Sequence, residues 1–106
     1  MREVTKEWLE SGEDHNFYLI GDEKERQNYY PAIIGIAKDN SRVVYSRPLL
    51  ITCLMEAKDW QYWEAEEWID FNVEPALPYY GDKAPVLSEA YEIRSRNKKY
   101  DSVRIV

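Results

Sequence analysis

The 106-residue chain predicts a small α+β domain: an antiparallel sheet built on a β-hairpin over residues 32–45, packed against helices over 47–57 and 60–73. Three observations carry this. The run Ala32-Ile-Ile-Gly-Ile-Ala37 is apolar without a break, as in a strand covered on both faces. Asp39-Asn-Ser41 then turns the chain, because Asp and Asn tolerate the left-handed region, and Val43-Val-Tyr45 returns as a β-branched strand. Two apolar-patterned segments follow, each opened or closed by a helix signal. The length suits a single domain with one core over 1–106.

In chain order, Thr5 to Gly12 reads as a short helix, with Thr5 as N-cap, Gly12 as its stop, and Trp8 and Leu9 as anchors. His15 follows in a polar turn, with no partner group nearby for acid–base work. Phe17–Ile20 reads as a strand closed by Gly21-Asp22, and residues 22–28 as a loop or one exposed turn. Ser46 caps the next helix, and Pro48 fits its first turn, where a missing N–H loses nothing. Leu49, Leu50, Ile51, Cys53, Leu54 and Met55 make that helix apolar nearly all round, so Cys53 reads as core filler rather than as a nucleophile.

The central helix opens at Asp59 or Trp60 and ends near Val73, before Pro75. At 100° per residue, Tyr62, Ala65, Trp68, Ile69 and Asn72 form the inner side, and Asp59, Trp63, Glu66, Glu67, Asp70 and Glu74 an outer acidic stripe. Residues 74–80 are expected as an ordered, non-helical loop presenting Tyr79 and Tyr80. Pro85–Leu87 reads as a short strand. For residues 88–106 a second hairpin, pairing the Tyr91/Ile93 run with Val103/Ile105, competes with a helix starting at Ser88.

The charge of −6 is uneven: residues 1–90 hold nine basic and eighteen acidic side chains, and residues 91–106 hold five and two. An acidic body disfavours direct nucleic-acid binding, whose affinity comes from Lys and Arg neutralising phosphates, and suits a partner with a basic surface. The last segment (Arg94, Arg96, Lys98, Lys99, Arg104) reads as a solvated hairpin. No run approaches the length of a membrane span, no signal-peptide core opens the chain, and the single cysteine excludes an internal disulfide; a cytoplasmic protein is expected.

One His, one Cys, scattered glycines and serines outside any nucleophile motif offer no catalytic constellation, and neither a cofactor nor a metal is expected. The carboxylates Glu66 and Asp70, one turn apart, are the nearest thing to an acid–base pair. With Asp59 they would also be the oxygen ligands of a divalent cation, though in no EF-hand spacing. The binding reading uses the same stripe differently: Trp63 points outward as an anchor, the alternative being that another part of the chain or a second subunit covers it, the surrounding acids steer a basic partner, and Tyr79 and Tyr80 present a second contact.

The motifs Ala32-Ile-Ile-Gly-Ile-Ala, Val43-Val-Tyr, Leu54-Met-Glu56, Glu64-Ala-x-Glu67-Trp68, Phe71-Asn72-Val73 and Gly81-Asp-x-Ala-Pro85 form one pattern over residues 30–87. It resembles small uncharacterised proteins encoded by bacteriophages and prophages, which share Tyr-x-Glu-Ala-x-Glu-aromatic, Phe-Asn-Val and Gly-acid-x-Thr-Pro. Pro75 stands here in place of Gly, and Ala84 in place of Thr. The resemblance implies a phage origin and a small α+β fold, with Asn72 as a structural amide bonding the loop after the helix; it implies no activity. Two functions follow as expectations: a non-enzymatic protein that binds and inhibits or redirects a host protein (an anti-defence factor such as a CRISPR-effector inhibitor being one form), or a small self-associating structural protein, dimeric through Trp63 or the edge of the terminal hairpin.

Overall fold

A computed structural model describes residues 1–11, 17–94 and 96–106. The expectations for Gly12 and His15 lie outside the described residues. Five strands form one sheet: β1 (Arg2–Val4), β2 (Ile33–Ala37), β3 (Val43–Ser46), β4 (Val86–Ser88) and β5 (Tyr100–Ile105), in the order β1-β5-β2-β3-β4. Its centre is antiparallel, with Ile36 opposite Val43 on one side of β2 and Asp101 on the other. Both edges are parallel additions: Val4 lies beside Ile105, and Tyr45 beside Leu87.

The hairpin forms where its turn chemistry places it. Asn40 takes φ 59°, and Asp39 Oδ1 accepts the backbone N–H of Ser41 at 3.0 Å. Three helices follow the sequence signals: α1 (Lys6–Glu10), α2 (Arg47–Lys58) and α3 (Tyr62–Trp68). Thr5 caps α1 through the N–H of Trp8, and Ser46, itself buried, caps α2 through the N–H of Leu49. The core lies between one sheet face and the helices. Ile36, Val43 and Tyr45 meet Leu9 of α1, Leu50 and Leu54 of α2, and Tyr29 and Tyr30 of a 3-10 helix over Arg26–Ala32.

Several expectations are corrected. Phe17–Ile20 is not a strand: the N–H of Ile20 is met by the buried hydroxyl of Tyr45 at 3.1 Å instead of by a ladder partner. Residues 26–32, read in part as exposed loop, form that 3-10 helix and bury both tyrosines. The C-terminal hairpin and its rival helix both fail to form. Val103 and Ile105 belong to β5, which pairs with β2 and with the N-terminal strand β1, so long-range partners replace the local one. The segment before β5 instead crosses the outer sheet face. Ser102 Oγ donates to the carbonyl of Ile93 at 2.7 Å, and the Ile93 side chain sits where a Cβ on Gly35 would project.

Residues 74–80, expected as a non-helical loop, are helical in a tighter form. A π-turn over Ile69–Val73 runs into 3-10 turns over Glu74–Lys83, broken at Gly81 with φ 63°. Pro75 is tolerated there because the first turn of a helix leaves its N–H positions without partners anyway.

Candidate functional site

The surface of α3 and the turns after it holds most of the sequence-selected residues, but two different arrangements divide them. Asp59 is not on α3. It takes φ 56° at the end of α2, which breaks that helix, and Gln61 then caps α3 in a box with Glu64. The acidic stripe therefore begins at Trp63.

Glu66, Asp70 and Glu74 are clasped by a residue that sequence reasoning passed over. Arg47, at the first turn of α2, is mostly buried, and its guanidinium faces all three carboxylates. Nη2 donates to Asp70 Oδ1 at 2.6 Å, Nη1 lies 3.8 Å from Glu66 Oε2, and Nε lies 3.7 Å from Glu74 Oε1. Burial alone would lower the Arg47 pKa, but the Asp70 hydrogen bond, with the charges of Asp70, Glu89 and Glu74, raises it. The cation these carboxylates hold is thus the protein's own. They tie α2 to α3 and the turns after it, and their charge is partly neutralised from within. No local signal could have revealed this, since the pairs span 19 to 27 residues of chain.

The remainder of the face is aromatic. Ala65 and Ile69 are buried as expected, and Trp68 is half-buried against Tyr29 and Trp60. Tyr62 and Asn72, expected inside, are exposed. The π-turn carries the inward position on to Val73, and the Asn72 amide donates back to the carbonyl of Trp68 at 3.1 Å rather than to the following loop. Trp63 is 63 % exposed, Tyr62 56 % and Phe71 71 %. Trp63, Glu67 and Phe71 follow one another at four-residue steps, so they lie along one outward row. The spacing of Phe71 from Trp63, two steps of four, is the signal in the sequence that marks it. Glu67 is exposed and makes no ion pair among the described residues.

Tyr79 and Tyr80 occupy different settings. Tyr79 is 89 % exposed, whereas Tyr80 stacks on Tyr18 with ring centroids 4.7 Å apart. Behind Tyr80 a cavity of about 250 Å³ opens between the 19–25 segment and the π-turn. Cys53 is buried, and burial raises its thiol pKa, which suits the core role. Among the described residues no helix is long and apolar enough to cross a membrane.

No family model matches the chain, and neither a curated protein nor a solved structure shows detectable similarity to it.

Proposed function

We propose that this chain is a non-enzymatic protein-binding module whose docking surface is the outward face of α3 and the π-turn after it. Trp63 and Phe71 are the anchors, with Tyr62 and Glu67 beside them and Tyr79 as a flanking contact. The observation that carries this reading is the exposure of three large aromatics on one short segment, in a domain that covers Trp60 and Trp68. Exposed aromatic clusters on a rigid helix are the usual centres of binding energy. The net charge of −6 selects a partner with a basic surface and disfavours direct contact with nucleic acid.

The resemblance to phage-encoded proteins supports a partner in the cytoplasm of a bacterial host, bound so as to inhibit or redirect it; an anti-defence role is one form of that action. Covering a basic nucleic-acid channel would be such a mechanism. Self-association through the same aromatic face is the competing occupant.

The test is capture of host proteins on the immobilised chain, followed by binding measurements with the purified partner. Trp63→Ala and Phe71→Ala should each abolish binding, and Glu67→Lys should slow association, with melting temperatures unchanged. Retained binding in both aromatic variants overturns the proposal. Concentration-dependent dimers that Trp63→Ala dissociates would replace it with self-assembly.

A further inference from the structure

Three stripe carboxylates already face a cation of the protein's own at Arg47, so a partner's cation is better sought elsewhere on this acidic surface. We infer that the cavity beside the π-turn is a side-chain slot for a basic residue, arginine or lysine, presented by the partner protein. The inference rests on the proposed protein-binding function and names the chemistry by which one partner residue is recognised.

The slot is built for a group that is apolar along its stem and cationic at its head. Ile20, Val73 and Leu77 supply aliphatic wall, and Trp68 and Tyr80 are its aromatic lining residues. Cations are attracted to aromatic rings, and long basic side chains bury their methylenes against apolar surface. Asp22 and Asn72 are among the polar residues lining the slot. Asp22 Oδ1 accepts the backbone N–H groups of Lys24 and Glu25, both at 2.9 Å, which fixes that carboxylate in place. Its other oxygen makes no hydrogen bond among the described residues, and neither does the Asn72 carbonyl oxygen, whose amide nitrogen is held by Trp68. Both belong to exposed residues lining the slot, and each keeps an acceptor oxygen for an incoming donor. Glu25, also at the slot, is already taken by Lys58 and by the Tyr29 hydroxyl, so Asp22 supplies the charge.

The local backbone supports the assignment. The wall bearing Asn72 and Val73 is the π-turn, a costly local geometry that recurs at functional sites. The Tyr18–Tyr80 stack joins the two segments that flank the slot, so its mouth is braced from both sides.

The experiment is a titration of the full-length protein, followed by the NMR signal of the Trp68 indole N–H. The probes are N-acetyl-arginine amide and the uncharged N-acetyl-norleucine amide. The arginine probe should bind saturably in the millimolar range, about tenfold more tightly than the norleucine probe. Asp22→Asn keeps an oxygen for the two backbone N–H groups and removes the charge, and should erase that preference. Ala76→Phe fills the slot and should abolish binding, with the melting temperature showing the variant folded. Equal affinity for both probes, or no saturable shift, overturns the inference. Because no partner is used, the outcomes separate. A silent slot with Trp63-dependent partner capture would leave the binding face standing. A working slot with Trp63-independent capture would remove the face and keep the slot.

Discussion

Replacing Arg47 by Met is the most informative perturbation of this fold, because it keeps the buried stem and deletes only the charge. The guanidinium joins α2 to Glu66, Asp70 and Glu74. The carboxylates are roughly half-exposed, so each pair must be discounted for solvent screening. The two longer contacts contribute a few tenths of a kcal/mol each, as exposed ion pairs do, and the short Asp70 hydrogen bond about 1 kcal/mol. The expected loss is therefore about 1.5 kcal/mol, which for a chain of this length lowers the melting temperature by about 7 °C.

Salt gives the second readout. Without Arg47 the three carboxylates repel one another, and added salt screens that repulsion while it weakens the wild-type attraction. The gap between variant and wild type should narrow as salt rises. Glu67→Gln, outside the clasp, should stay within about 0.5 kcal/mol of wild type. Thermal melts by circular dichroism at low and high salt measure all of this. If Arg47→Met melts within about 2 °C of wild type at low salt, the clasp is an ordinary surface ion pair and the argument that the stripe is satisfied fails.

Two further outcomes follow from the core. Gly35→Ala would place a Cβ 2.1 Å from Ile93 Cδ1 and 2.9 Å from the Asp101 carbonyl oxygen, so it should destabilise by about 1–3 kcal/mol in chemical denaturation. The double variant with Ile93→Ala should not recover fully, because the clash with the Asp101 backbone remains. Three buried tyrosines limit alkaline stability: burial first, and then the carboxylates Glu25 and Glu10 respectively, push Tyr29 and Tyr30 up to about 12, and burial raises Tyr45 as well. Between the unfolded value near 10 and the folded value, the unfolded chain has lost these protons and the native chain has not. Stability is therefore full below about pH 10 and falls by about 1.4 kcal/mol per pH unit for each tyrosine towards pH 12. Tyr29→Phe should flatten that fall in denaturant titrations over the same range, and an unchanged slope would refute the assignment.

The sequence by itself determined the elements whose signals are local. The α+β class, the 32–45 hairpin with its Asp39-Asn40-Ser41 turn and the Ser46 cap on α2 all follow from period, turn chemistry and capping within a few residues. Only the tertiary structure decided what depends on distant partners. The C-terminal strand pairs with β1 and β2 because the N-terminal strand is there to receive it, and Phe17–Ile20 is held by the Tyr45 hydroxyl instead of by a ladder. The acidic stripe likewise looked free until α2 placed Arg47 against it. Hydrophobic period can say which way a side chain points; it carries no information on which charge, many residues away, the fold brings to meet it.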